Sequence, residues 1–274
     1  MKTATIKEIL LNDKTVNDIT LMGWVKTRRD LKSQSFAELN DGSTRQNLQI
    51  VIDNSDPKFQ SVLAKIVNGA SVKVIGDLVQ SPAKGQKYEV KVKEILVLGE
   101  CDQEKYPIQK KKTSDEFLRT VAHLRPRTNK YASMLRIRSE LSFAIHKYFR
   151  DNGFFYVHTP IITSSDCEGA GQMFSVSAFD IGNIKNLPID KDGNVDFSKD
   201  LFGRRTYLTV SGQLEGETLA LGLGKIYTFG PTFRAENSNT YRHAAEFWMV
   251  EPEMAFYDIY DDMDLAEDFV KNIT

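Results

Sequence analysis

The chain has 274 residues, with 36 Lys and Arg against 37 Asp and Glu, four His, two Cys and 41% apolar residues. This length suits two domains with real cores, and the composition excludes disordered, collagen-like and coiled-coil classes. The formal charge of −1 hides an asymmetry, because residues 1–105 carry +2, residues 106–160 carry +7 and residues 161–274 carry −10. Such a split points to a polyanion contact in the front part, with scattered surface lysines the equally common alternative.

Cys101 and Cys167 are far apart and have neither disulfide-framework nor zinc-ligand spacing, so a reduced, cytoplasmic location is expected. The first residues lack the apolar core of a signal peptide, and no apolar stretch approaches the roughly 20 residues of a membrane span. A soluble protein without membrane partners is expected.

From Thr20 to Leu98 the pattern predicts short strands. Ile19, Leu21, Gly23 and Val25 alternate with their neighbours, Leu48–Ile52 follows the turn-like Asn40-Asp41-Gly42-Ser43, Val72, Val74, Gly76 and Leu78 alternate again, and Tyr88 to Val97 is rich in Val and Ile. Phe59, Val62, Leu63 and Ile66 predict one helix after Asp56-Pro57, with Asn68-Gly69 able to end it. Three strands, a helix and two strands is the order of an OB-fold, an all-β barrel that often binds single-stranded nucleic acid, and it is assigned to residues 1–105. Residues 106–130, with Pro107, Lys110-Lys111-Lys112 and Arg125-Pro126-Arg127, read as a basic hinge or linker. Residues 131–274 read as an α+β domain with a largely antiparallel sheet. Ile137, Leu141, Ile145, Tyr148 and Phe149 trace a helical face ending at Asn152-Gly153, followed by the apolar Phe154–Val157 and Pro160-Ile161-Ile162. Short strands are expected at Tyr207–Val210, Ile226–Phe229 and Phe247–Val250. A surface insertion is expected at Leu187–Lys199, and a final helix carries Leu265, Ala266, Phe269 and Val270 on one face.

Common nucleotide motifs fail. Leu221-Gly222-Leu223-Gly224-Lys225 looks like the end of a phosphate loop, but Ile226 stands where Ser or Thr is required and Leu219 where glycine is. No G-x-G-x-x-G opens a helix and no H-E-x-x-H occurs. More informative is the run from Phe229 to Glu253, in which two apolar strands flank a polar loop containing two arginines, a histidine and two carboxylates. Arginine forks suit phosphate and carboxylate oxygens, a glutamate can accept from an exocyclic amine, and an aromatic on the return strand can stack on a base. An exposed hairpin with incidental charges is the alternative on chemistry alone.

This run resembles motif 2 of class II aminoacyl-tRNA synthetases, in detail that of their bacterial asparagine-specific members. The resemblance extends to Gly23-Trp24-Val25 with Arg28-Arg29-Asp30, His123-Leu124-Arg125, the helix leading to Pro160, Glu168-Gly169-Ala170 and Ser211-Gly212-Gln213-Leu214. It implies a ligase that uses ATP and Mg²⁺ to activate L-asparagine and transfers it to tRNA(Asn). Arg234 would be the catalytic group, holding the ATP α-phosphate and the amino-acid carboxylate. Glu236 would read the adenine amine, Phe247 would lie beneath adenine, and Arg242 and His243 would meet the outer phosphates or the tRNA end. Glu168 and Gln213 would bind the substrate's amino group. Aspartate-specific relatives carry Gln-x-x-Lys, whereas Gly216 and Glu217 follow here. Losing that lysine withdraws support for an aspartate side chain, and Glu217 is expected to read the amide.

The resemblance also makes the barrel an anticodon reader, with Phe36 stacking on a base, Gln49 reading the central uracil, and Arg28 and Arg29 near the strand. Motif 1 with Pro160 implies a homodimer, and the basic segment 106–160 would lie where tRNA passes. The family's third motif would fall beyond residue 274, so the catalytic domain is expected to be C-terminally incomplete, without a metal ligand in this stretch, and inactive by itself in aminoacylation. Alternatives are a tRNA-binding, dimerising module without catalysis, an aspartate-type synthetase, and an amide-forming asparagine synthetase on the same catalytic fold, which would lack a barrel.

Overall fold

The computed structural model describes the chain apart from residues 1–2, 13, 109–112, 168, 170–171, 237–239 and 241–242. Two compact units divide it, residues 1–138 and 139–274.

In the first unit a capping box between Thr5 and Glu8 starts helix α1 (Ile6–Leu11), followed by strands β1 (Val16–Asp30), β2 (Gln34–Asn40) and β3 (Leu48–Asp53), helix α2 (Pro57–Leu63), and strands β4 (Ser71–Gln80) and β5 (Tyr88–Gly99). The strands close into a barrel in the order β1-β2-β3-β5-β4, with β3 and β5 parallel and the other pairs antiparallel. This is the OB-fold order expected. Inward residues such as Leu21, Val25, Leu39, Ile50, Val72, Val74 and Val90 are almost wholly buried and fill one core. The 15-residue β1 is longer than the pattern suggests, because its first half pairs with β4 and its second with β2.

Asp56 caps α2 by accepting from the Lys58 N–H, with Pro57 at the first helical position. The helix stops at Leu63, short of Ile66, which is nevertheless buried in the barrel core. Helix α1 was not expected: Ile6 and Ile9 plug the core, but two anchors are too few to set a period. Within residues 106–130 the chain forms helix α3 (Asp115–Thr120), capped by Ser114, and a 3-10 helix, Ala122–Arg127. Helix α4 (Asn129–Asp151) contains the division between the units. The tri-lysine run lies outside the described residues.

The second unit continues from Gly153, whose φ of +80° turns the chain after α4. Strands β6 (Phe155–Tyr156), β7 (Ile162–Thr163), β8 (Ser175–Val176) and β9 (Thr206–Leu208) precede helix α5 (Gln213–Leu223), strands β10 (Lys225–Phe233) and β11 (Glu246–Met254), and helix α6 (Ile259–Ile273). β10 and β11 form an antiparallel ribbon, β6 adds to β10 in parallel, and β7-β9-β8 make a small antiparallel sheet. The parallel β6 is the exception to the antiparallel expectation. Leu187–Lys199 is turn-rich, with a bridge between Ile189 and Val195.

Strand alternation divides the ribbon into two faces. Tyr227 and Phe229 pack with Ile145, Tyr148 and Phe149 of α4, Phe154, and Leu265, Phe269 and Ile273 of α6. The Phe149 and Tyr227 rings stack at 4.5 Å, and the Tyr148 hydroxyl donates to Asp268 Oδ2 at 2.8 Å. Burial and this bond push the Tyr148 hydroxyl up to about 12. Ile137 and Leu141 share the apolar spacing of α4 but are 66% and 39% exposed.

Candidate functional site

The opposite face of the ribbon carries four register pairs in a row: Thr232 with Phe247, Gly230 with Met249, Thr228 with Glu251, and Ile226 with Glu253. Pairs on one face repeat every two residues, so Phe247 and Glu251 are about 13 Å apart. At one end, Arg234 leaves β10 with its backbone N–H donating to Ala245, and its guanidinium carbon lies 5.6 Å from the centre of the Phe247 ring. In the middle, a Cβ on Gly230 would meet nothing within 4 Å, so the floor there is bare backbone under open space. The other end is acidic.

Glu251 organises that acidic end. It accepts from the Ser211 hydroxyl, from the Gly212 N–H at 3.2 Å and from the Thr228 hydroxyl at 2.7 Å, tying the start of α5 to β10. Gly212 is required there, because a Cβ would stand 2.6 Å from Thr159 Oγ1. The Gln213 amide then donates to Glu217 Oε1 at 3.0 Å, on adjacent turns of α5. Gly216, on the same side, packs against Ile226 and Glu253. Burial, followed by the charges of Glu217, Glu251 and Asp262, pushes the Glu253 carboxyl up. Sequence reasoning missed Glu251 and Glu253. Their position in a β-strand, alternating with Val250 and Pro252, was the available signal. Gly224 ends α5 with φ +80°, so Gly224-Lys225 leads from a helix into a strand, opposite to the phosphate-loop arrangement.

Near Arg234, Glu236 Oε2 and His243 Nε2 lie 3.8 Å apart, and His243 Nδ1 bonds the Thr240 hydroxyl. Arg242 and Glu168 lie outside the described residues. Pro160 is exposed between β6 and β7. Among the described residues, no group of three or more His, Cys, Asp or Glu is arranged to hold a metal ion.

On the barrel, cross-strand register places Arg29 opposite Phe36 and Gln49 beside Glu38 and Glu89, all on the outer face. The Arg29 guanidinium lies 5.4 Å from the Phe36 ring centre. Gln49 donates to Glu89 Oε2 at 3.0 Å, and Ser81 and Gln86 donate to the same buried carboxylate. Arg28 is engaged internally, with a bidentate pair to Asp30 and further bonds to the Leu63 and Ile66 carbonyls. It braces β1 against the end of α2.

The first unit is thus a closed OB barrel, and the second carries an antiparallel ribbon whose floor joins an arginine and aromatic end to an acidic end. Residues 114–274 match the family of tRNA synthetases class II (D, K and N), residues 19–98 match the OB-fold nucleic acid binding domain, and the chain belongs to that synthetase family. It is 58% identical over 255 residues to the asparagine–tRNA ligase of Nitratidesulfovibrio vulgaris (strain DP4), covering 93% of this chain and 54% of that protein. It is 56% identical over 273 residues to the asparagine–tRNA ligase of Oleidesulfovibrio alaskensis, covering 100% and 58%. The crystal structure of asparaginyl-tRNA synthetase from Pyrococcus horikoshii complexed with asparaginyl-adenylate superposes with a TM-score of 0.80 at 25% identity, covering 100% of this chain and 57% of that one. The chain thus spans a little over half the length of these relatives. The fold read from sequence, an OB barrel and a class II catalytic domain, holds.

Proposed function

We propose that this chain carries the asparagine-activating site and the anticodon-binding barrel of an asparagine–tRNA ligase, working in the cytoplasm as a homodimer. The observation that carries the reading is the row Phe247, Gly230, Glu251 and Glu253 along one ribbon face, with Arg234 over one end and Gln213 and Glu217 beside the other. Adenine lies on Phe247 with its amine toward Glu236, the α-phosphate lies over the bare Gly230 near Arg234, and asparagine occupies the acidic end. An oxygen of the asparagine carboxylate attacks the α-phosphorus, pyrophosphate leaves, and a terminal ribose hydroxyl of tRNA(Asn) then attacks the acyl carbon and releases AMP. Arg234 balances the charge that builds on the phosphoryl oxygens, and the rest of the site aligns two bound substrates in line. No side-chain nucleophile takes part.

Glu168, Gln213 and the carboxylates of the acidic end receive the substrate ammonium, and Glu217 accepts from its side-chain amide. Three glutamates at this end repel an aspartate side chain, and Gly216 supplies no cation in compensation, which argues against the aspartate-type alternative. Mg²⁺ fits as an ion carried in on ATP phosphates, where it neutralises charge, since it keeps several waters and seldom needs an all-protein cage. Arg242 and His243 meet the outer phosphates or the tRNA end. Phe36 stacks an anticodon base with Arg29 beside it, Gln49 reads the central uracil, and Arg28 supports that face from behind. In the second unit, exposed Phe143, Phe155 and Ile161 and the neighbouring Pro160 suit the dimer contact. ATP–pyrophosphate exchange by a polypeptide carrying this sequence at the full length of its relatives tests the reading: asparagine should drive exchange, and exchange driven equally by aspartate would refute it.

A further inference from the structure

A cavity of about 240 Å³ lies within the first unit, at the far end of the outer β1–β2 face that carries Phe36, where Trp24 pairs with Asn40. Its walls come from the middle of β1, the turn after β2, Tyr106, the 3-10 helix and the first turns of α4. Among the described residues four cations line it, Lys26, Arg45, Arg127 and Arg136, and no Asp or Glu does. Two of them bond carbonyls: Lys26 donates to the Arg127 backbone oxygen, and Arg136 to the Gly42 oxygen at 2.6 Å and the Thr44 oxygen at 3.2 Å. Positive charge is therefore gathered here without neutralisation by the lining. Lys26 registers it, since burial and then the Arg127 charge lower its ammonium below the ordinary lysine value. The Arg127 guanidinium also lies 5.7 Å from the Trp24 ring centre and 5.8 Å from that of Tyr106, and Trp24 is 44% exposed.

Unneutralised cations in a concave site call for an anion, and an exposed indole beside a guanidinium offers a flat ring a surface to stack on. The volume holds one small ligand rather than a dinucleotide. We propose that this cavity binds one nucleotide unit, its phosphate against Lys26 and Arg127 and its base against Trp24, either as a free mononucleotide or as one residue of an RNA strand. The site belongs to the first unit and does not depend on the function proposed for the ribbon.

The test follows the indole N–H signal of Trp24, one of two tryptophans, in the full 274-residue chain. Uridine monophosphate, octauridylate and inorganic phosphate are titrated separately. A saturable shift with uridine monophosphate supports the proposal and identifies a free nucleotide as a ligand, whereas a shift with octauridylate alone supports it and identifies a strand. Arg127→Ala should weaken either by about tenfold, the loss of one charge-assisted contact. Arg45→Ala, an exposed position, serves if the first variant does not fold. No shift at Trp24 with any probe, a response to inorganic phosphate as strong as to the nucleotides, or affinity unchanged in the variants overturns the proposal.

Discussion

The Gln213 side-chain amide lies 3.0 Å from Glu217 Oε1, one helical turn apart on α5. The bond leaves the second carboxylate oxygen of Glu217 available to a substrate amide. Glu217→Gln removes a charge while keeping the shape, so in the full-length polypeptide the preference for asparagine over aspartate in ATP–pyrophosphate exchange should fall by roughly 10- to 100-fold, the scale of a lost specific polar contact. An unchanged preference would show that Glu217 does not read the amide.

Phe36 presents its ring on the outer barrel face with the Arg29 guanidinium 5.4 Å from its centre. Truncating a stacking ring costs about 1–3 kcal/mol per base. Phe36→Ala should therefore weaken tRNA binding by one to two orders of magnitude in a filter-binding assay while adenylate formation stays unchanged. Equal losses in both would assign Phe36 to structure.

Gly76 is required for barrel closure. A Cβ there would stand 2.2 Å from the Lys91 carbonyl oxygen, at the point where the β4–β5 register shifts. Gly76→Ala forces that backbone apart, at a cost of about 1–3 kcal/mol or more. Urea unfolding of the chain should show the loss in the barrel transition.

Much of this barrel was legible, because Val72, Val74, Gly76 and Leu78 alternate strictly toward one core and Asp56-Pro57 marks a helix start. Helix α5 was not, since Gly216 and Gly222 interrupt its 11 residues and its apolar residues surround the axis. The site residues with loop chemistry, Arg234, Glu236 and His243, stood out in the sequence. Glu251 and Glu253 did not: each sits in a strand, and only the register pairing with Thr228 and Ile226 places them on the ribbon floor. Arg28 looked like its neighbour Arg29, yet its partners Asp30, Leu63 and Ile66 are set by tertiary folding.

Glu253 works against stability as pH rises. Its carboxyl is raised by burial and by Glu217, Glu251 and Asp262, so the folded chain holds this proton more tightly than the unfolded one. The contribution of Glu253 is fully present below the ordinary glutamate value and is lost as pH rises through the raised value. Glu253→Gln should raise Tm relative to wild type at neutral pH and by less at acidic pH, as followed by circular dichroism. A wild-type slope retained in the variant would contradict this.

The proposed selection of asparagine by the acidic end of the ribbon is tested directly by a stable mimic of the adenylate. Calorimetric titration of a polypeptide carrying this sequence at the full length of its relatives with the sulfamoyl analogues of asparaginyl-adenylate and aspartyl-adenylate should show the asparaginyl compound bound at least about tenfold more tightly, the equivalent of about 1.4 kcal/mol. Equal affinities, or a preference for the aspartyl compound, would contradict it.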